Sequence, residues 1–253
     1  MSTTTFAFLG QFGEAIDFVF DEHESPAGGA QVGGLSNMWD LMWEHLKLSI
    51  ESMAIACGLS IPLGLWLGHI GKGGFLAINA SNVGRAVPSL ALIAFFVAYL
   101  GVGFTNLVVA LVLLAMPPIL TNAYTAVRQV ERDAVDAARG MGMTGFQIVR
   151  RVELPLSLPL IFGGIRISAV NVVATATIAP LAGVVTLGDP IINVNTYGDE
   201  GRLAAAIVVA LLAVVTEVSL GGVQRLLTPR GLKLTPAGKR RHTFPITRRE
   251  ATS

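Results

Sequence analysis

The chain has 253 residues, of which 52% are apolar and only 14% are Asp, Glu, Lys or Arg, with a formal net charge of +1 at pH 7. A typical soluble domain holds about 25% charged residues, so this composition excludes an ordinary water-soluble domain and points to a polytopic membrane protein. Cys57 is the single cysteine, which excludes an intrachain disulfide, and no nucleic-acid partner is expected.

The first Lys or Arg is Lys47, so the N-terminus lacks the basic region of a secretory signal, and residues 1–46 hold seven acids. Phe6, Leu9, Phe12, Ile16, Val19 and Phe20 recur at helical spacing, while Glu14 and Asp17 argue against a crossing. Residues 1–45 read as an extracytoplasmic segment, either an interfacial helix followed by the flexible linker SPAGGAQVGG or plain disorder.

Charge-free runs locate the crossings, because a charge at mid-bilayer costs about 2.5 to 3.5 kcal/mol on insertion scales. Ser52 to Gly71 is one such run of twenty residues. Ala86 to Val127 is forty-two residues, enough for two crossings joined at GVGFTN. Ile167 to Gly188 and Leu203 to Gln224 are twenty-two each, the last broken only by Glu217. Five crossings are expected. Gly64 and Gly68 form a small-xxx-small pair, a weak signal in a chain with 28 glycines.

Lys and Arg set the orientation. Arg128, Arg132, Arg139, Arg150 and Arg151 crowd the connection before the fourth span, and Arg225 to Arg249 carry eight bases, so both segments are placed inside the cell. Arg85 and Arg128 bracket the central hairpin from that same side. Gly188 to Arg202 then forms an outer loop, with the N-terminus outside.

The inner connection DAARGMGMTGFQIVRRVELPLSLP is the most structured loop in the sequence. Arg132 to Arg139 is helix-forming, with the small Ala137 and Ala138 open to close approach, and Gly140 and Gly142 permit a reversal. Thr144 can cap a second short helix from Gly145 to Val152, and Pro155 favours a break or a fresh helix start. The product is a helix-turn-helix elbow on the cytoplasmic face.

Other polar residues have two readings each. Glu217 is either a functional intramembrane acid or a hydrated, hydrogen-bonded group near the inner end of its span. Asn171, Thr175 and Thr177 either line a translocation path or serve helix packing. Arg166 is expected to mark the inner end of the fourth span, snorkelling to phosphates.

Asp136-Ala137-Ala138, three residues, Gly142, nine residues, Val152, one residue and Leu154-Pro155 resemble the Glu-Ala-Ala loop of binding-protein-dependent ABC importer permeases. Asp136 and Val152 are conservative departures from that pattern. The segments WEHLKLSIESMAIACGLSIPLGLWLG, GRAVPSLALIAFF, PPILTNAYTAVRQV, GIRISAVNVVATATIA and RLLTPRGL are similar to successive segments of osmoprotectant permeases, covering roughly residues 43 to 232. After the fourth span this chain reads GVVTLGD where those permeases have a Gly-Ala-Gly-Gly-Leu-Gly run, so the outer gate differs.

The resemblance implies an all-α ABC importer permease fold, multi-pass in the cell membrane. Its parts are an N-terminal segment (1–45), a transmembrane permease domain (46–228) and a basic cytoplasmic tail (229–253). Asp136, Ala137, Ala138, Arg139, Gly140, Gly142, Val152, Leu154 and Pro155 are then the ATPase-coupling residues. The implied partners are cytoplasmic ATPase subunits, an external substrate-binding protein, a second permease copy or paralogue, and the lipid bilayer.

The implied cargo is glycine betaine or a similar quaternary amine or zwitterion. Alternatives are a permease for another small solute such as an amino acid, and a gradient-driven carrier using Glu217. No Gly-x4-Gly-Lys-Ser/Thr phosphate loop occurs, so ATP hydrolysis is assigned to a partner chain. The four histidines are scattered, and neither a metal centre nor a cofactor is expected.

Overall fold

The computed structural model describes residues 3–75, 79, 82 and 86–228. Helix α1 (Thr3–Phe20) leads into a hairpin of β1 (Glu22–Glu24) and β2 (Gln31–Gly33), antiparallel with His23 opposite Val32. The long helix α2 (Gly34–Ile70) follows, then α3 (Ser89–Leu100) and α4 (Phe104–Arg128). The elbow comprises α5 (Arg132–Gly140), α6 (Gly145–Ile148) and a π turn over Val149–Glu153, which runs straight into α7 (Leu154–Thr175). A 3-10 segment (Ala176–Ala182), short α8 (Asp189–Ile192) and α9 (Val194–Leu227), kinked at Gly198, complete the described chain.

Four of these stretches are long and apolar enough to cross a membrane: α2, α4, Gly145–Ala182 and α9. The remaining expected crossing corresponds to α3, whose twelve described residues extend only about 18 Å. Arg85 and the basic tail beyond Thr228 lie outside the described residues, as do the side chains of Phe6 and Leu9. On α2, the exposed Trp43 and Trp66 stand 23 residues apart, about 34 Å along the axis. That is close to the thickness of the hydrocarbon core, and indole rings favour its two boundaries.

Helix α4 is the centre of the bundle. Leu107, Ala110, Leu111, Ala115, Ile119 and Ala123 follow helical spacing and are almost wholly enclosed by α2, α3 and α7. Lipid tails are as apolar as these side chains, so close packing holds the helices together. A Cβ on Gly64 would stand 2.6 Å from the Ala123 Cβ, and one on Gly68 would stand 2.7 Å from the Val127 Cβ. The glycine pair on α2 is therefore the seam along which α2 meets α4. From the other side, a Cβ on Gly164 of α7 would stand 2.8 Å from the Pro118 carbonyl.

Pro117 and Pro118 remove backbone donors from the middle of α4. Neighbouring helices supply hydroxyls to carbonyls around them: Ser168 donates to Ala115 O at 2.9 Å and Ser60 to Met116 O at 3.3 Å. His45, fully buried on α2, donates from Nε2 to Val173 O of α7 at 3.0 Å.

The linker expected over residues 25–34 is instead the hairpin, its turn and the start of α2. Ser25 is buried and donates to Thr196 O at 2.8 Å, tying the hairpin to the first turn of α9, ahead of its kink. Ala15 and Phe18 of α1 are buried, with Phe18 against Gly201 of α9, whereas Ile16 and Phe20 of the expected apolar face are exposed. The 45/46 boundary falls inside α2. At the hairpin end the chain also folds back after α7, so that Ala176, Ala179, Ala182 and Leu187 are fully enclosed. Thr186 donates to Ala176 O at 3.0 Å, and Gly188 presses so closely on Thr177 that a Cβ there would overlap its carbonyl oxygen.

Gly188→Ala is therefore expected to destabilise the protein by about 3 kcal/mol or more, because backbone rather than a movable side chain stands in the way. Thermal unfolding of the purified protein checks this, with Gly222→Ala as a control whose Cβ meets nothing within 4 Å. Equal midpoints for the two variants would contradict the close approach.

Candidate functional site

The elbow is held by local chemistry. Thr144 and Gln147 form a reciprocal capping box: the Gln147 amide donates to Thr144 Oγ1 at 3.4 Å and the Thr144 amide to Gln147 Oε1 at 2.8 Å. Gly142 takes φ +79°, a conformation that a Cβ would strain, and this turns the chain between α5 and α6. Gly140 ends α5 with ordinary helical geometry, so the reversal rests on Gly142.

Pro155 does not break the helix, contrary to one of its expected effects. The π turn ahead of it closes an i→i+5 bond from the Leu154 amide to Val149 O, and Pro155 sits in the first turn of α7, where its missing donor is harmless.

The elbow presents one face outward. Asp136, Ala137, Arg139, Gly140 and Gly142 are exposed, Ala138 is buried beneath them, and Val152, Leu154 and Pro155 are half-buried. Asp136 and Arg139 lie 3.6 Å apart in an exposed pair that contributes little to stability. Met141 and Phe146, which sequence reasoning did not single out, stand 71% and 74% exposed on either side of the turn. Two apolar side chains flanking a glycine turn in a charged loop were the available signal.

Behind that face lies a tie that the sequence did not reveal. Glu153 is buried, and both of its oxygens accept from His69 Nδ1, at 3.0 and 2.9 Å, across 84 positions. The opposite edge of the His69 ring faces Gly145, where a Cβ would stand 3.1 Å from Nε2. The last turn of α2 is thus clamped between both ends of the second elbow helix. Ile148, buried beside it, completes the seat.

The second cluster lies between α7 and α9. Arg166 does not snorkel to the membrane surface as expected, because Glu217 pairs with its Nη2 and Gln224 Oε1 accepts from Nη1 at 2.8 Å. Gln224 in turn donates to Pro159 O at 2.9 Å. Glu217 is therefore an ion-paired acid in a cleft of about 730 Å³. Asn171 is exposed further along the same α7–α9 groove, which also holds Arg166 and Glu217. Thr175 is half-buried at the end of α7, and Thr177, in the 3-10 segment, donates back to Ala174 O in the last turn of α7 at 2.7 Å. The structure groups Asn171 with Glu217 and leaves Thr177 apart. Among the described residues no three His, Cys, Asp or Glu side chains gather as a metal site.

The sequence matches the family described as binding-protein-dependent transport system inner membrane component over residues 60–232. The carnitine transport permease protein OpuCB of Listeria monocytogenes is 39% identical over 192 residues, 76% of this chain and 88% of that protein. The choline transport system permease protein OpuBB of Bacillus subtilis (strain 168) is 38% identical over the same length, 76% of this chain and 88% of that protein. Among solved structures, an inward-facing form of the MetNI methionine ABC transporter superposes with a TM-score of 0.65 at 22% identity. It covers 77% of this chain and 98% of that one, a likeness of fold. Helix α1 and the hairpin precede the family match.

Removing the acceptor of His69 isolates the role of the buried tie. Glu153→Ala is expected to cost about 2 kcal/mol, the scale of a hydrogen bond to a charged group, and Glu153→Gln less, because its amide oxygen still accepts. Thermal midpoints and hydrogen exchange over Thr144 to Ile148 check this. Equal midpoints and unchanged exchange in both variants would mean that the pair does not hold the elbow.

Proposed function

The chain belongs to the family of binding-protein-dependent transport system inner membrane components, and on that premise we propose that it is the permease subunit of an osmoprotectant ABC importer. It lies in the cell membrane as a multi-pass protein. A second permease copy or paralogue completes the pore, cytoplasmic ATPase subunits power it, and an external binding protein delivers the cargo. That cargo is a compact quaternary amine or zwitterion such as glycine betaine, carnitine or choline.

The supporting observation for the substrate class is the likeness, at 38 to 39% identity over most of the chain, to permeases named for carnitine and choline. The methionine transporter is similar at 22% identity, which speaks for fold alone. A gradient-driven carrier would use Glu217 as a titrating site, and its pairing with Arg166 counts against that reading.

In this reading the elbow residues Asp136 to Gly142 and Val152 to Pro155 form the surface on which the ATPase seats, with Met141 and Phe146 as its apolar knobs. Residues 1–45 lie outside the cell, 46–228 form the permease unit, and 229–253 are a basic tail inside. Hydrolysis takes place on the partner chain. Closure of two ATPases draws the elbows together, and the Glu153–His69 clamp passes that movement to α2. Through the α2–α4 seam it reaches the bundle centre.

The test is uptake in a host lacking its own osmoprotectant systems, at high osmolarity, with the whole transporter expressed. Glycine betaine, carnitine or choline should enter in a manner that requires the intact ATPase, and methionine should not. Gly142→Asp should cut that uptake about tenfold or more, since a docking cleft does not accept an unpaired charge, while Gly142→Asn, which tolerates positive φ, should cost less. Import of methionine alone would overturn the substrate class. Unchanged uptake in Gly142→Asp would overturn the coupling role.

A further inference from the structure

We propose that Arg166 and Glu217 form a zwitterion-exchange site on the translocation path, an inference that rests on the osmoprotectant reading above and narrows it to a place and a chemistry. The pair sits deep. Arg166 lies twelve residues from Leu154 and Glu217 ten from Leu227, about 18 and 15 Å along their helices from the elbow end. Yet neither side chain is sealed in protein, with 32% of Arg166 and 42% of Glu217 accessible. An open ion pair at that depth cannot face acyl chains at reasonable cost, so its open side faces water or the facing permease subunit.

The surroundings fit a passage rather than a structural staple. The cleft beside the pair measures about 730 Å³ and is floored by Gly221 and Gly222 of α9. A Cβ on Gly221 would just touch the Arg166 guanidinium at 3.5 Å, and one on Gly222 would meet nothing within 4 Å. The α7–α9 groove continues from the pair past Val170 and Asn171. Among the described lining residues none is aromatic, so the cleft lacks the cage that holds a quaternary ammonium tightly.

The guanidinium also has unused capacity. Nη1 serves Gln224 and Nη2 serves Glu217, but Nε is buried without a partner. Nε is closed to solvent, so the atom a carboxylate can reach is Nη2, in place of the Glu217 oxygen it now holds. A solute carrying both a carboxylate and a quaternary ammonium can take Nη2 with its carboxylate while Glu217 turns to its cation. Every charge then keeps an opposite partner, so the exchange avoids the cost of stranding an ion. Because the protein's own pair re-forms when the solute leaves, binding stays weak enough for transit. A cation without a carboxylate engages only Glu217 and leaves Arg166 to Gln224. The site therefore prefers zwitterions such as glycine betaine and carnitine to choline.

The experiment uses the complete transporter reconstituted in vesicles, with ATP-driven uptake of glycine betaine and choline measured on the same preparations. Arg166→Gln should lower glycine betaine uptake about tenfold or more relative to choline, because a site built for a carboxylate loses its discrimination. Glu217→Gln should lower both. A fall by one common factor in Arg166→Gln, or no fall, overturns the site.

A second measurement leaves the pair intact. In a Cys57→Ala background, Gly222→Cys should be alkylated more slowly when glycine betaine is present than with equal tetramethylammonium chloride, and equal rates overturn the proposal. If wild-type vesicles take up neither solute, the osmoprotectant reading itself fails. If they do and the variants are indifferent, only the site fails.

Discussion

Hydrocarbon offers no hydrogen bonds, so the polar groups that this chain carries into the bilayer have to find partners within the protein, on their own helix or on a neighbour. That requirement organises the bundle more than any apolar contact, since greasy side chains gain nothing by leaving lipid. The carbonyls around Pro117 and Pro118 take hydroxyls from Ser60 of α2 and Ser168 of α7, which fixes both helices against α4. His45 joins α2 to α7 at the hairpin end, and His69 joins α2 to the elbow at the other. Arg166 joins α7 to α9. Among the described residues the buried side-chain atoms left over are His45 Nδ1, Ser52 Oγ, Ser157 Oγ and Arg166 Nε, and only the last belongs to a charged group.

These ties make the bundle suited to moving in rigid pieces. The elbow is stiffened internally by its capping box, seated by Ala138 and Ile148, and clamped to α2 through Glu153. The α2–α4 seam is too tight to slip, because Gly64 and Gly68 leave backbone against side chain. A push on the outward face of the elbow is therefore carried to the centre of the bundle rather than absorbed in the loop. At the far end, α1 and the hairpin rest on the N-terminal part of α9, and Ser25 anchors them there.

How much of this was legible in the sequence follows from what each signal measures. The elbow was readable because its determinants are local: a capping threonine, a glycine turn and fixed spacing within about twenty residues. The crossings were readable as charge-free runs, but their limits were not. Such a run records where charges stop, whereas α7 carries Arg166, paired with Glu217, twelve residues past its start, so the helix begins at Leu154 rather than Ile167. The run from Ala86 to Val127 did place the turn at GVGFTN, just after α3 ends at Leu100, but it could not show that α3 starts only at Ser89. The hairpin strands are three residues each, too short for an alternating pattern, and depend on a hydrogen bond 171 positions away. The His69–Glu153 pair joins two residues with nothing in their neighbourhoods to link them. Met141 and Phe146 were visible as letters, but their exposure is a property of the fold.

The central claim is that an ATP-driven partner pushes this bundle through the outward face of the elbow. The most direct measurement is photo-crosslinking in membranes that hold the complete transporter, with a photo-reactive amino acid at Phe146 and, as a control, at the exposed Val102 of the opposite end. The account predicts that Phe146 captures the ATPase subunit, that the yield changes when ATP is added, and that Val102 does not capture it. Membranes that take up solute at the expense of ATP while neither Phe146 nor Met141 captures the ATPase would contradict it.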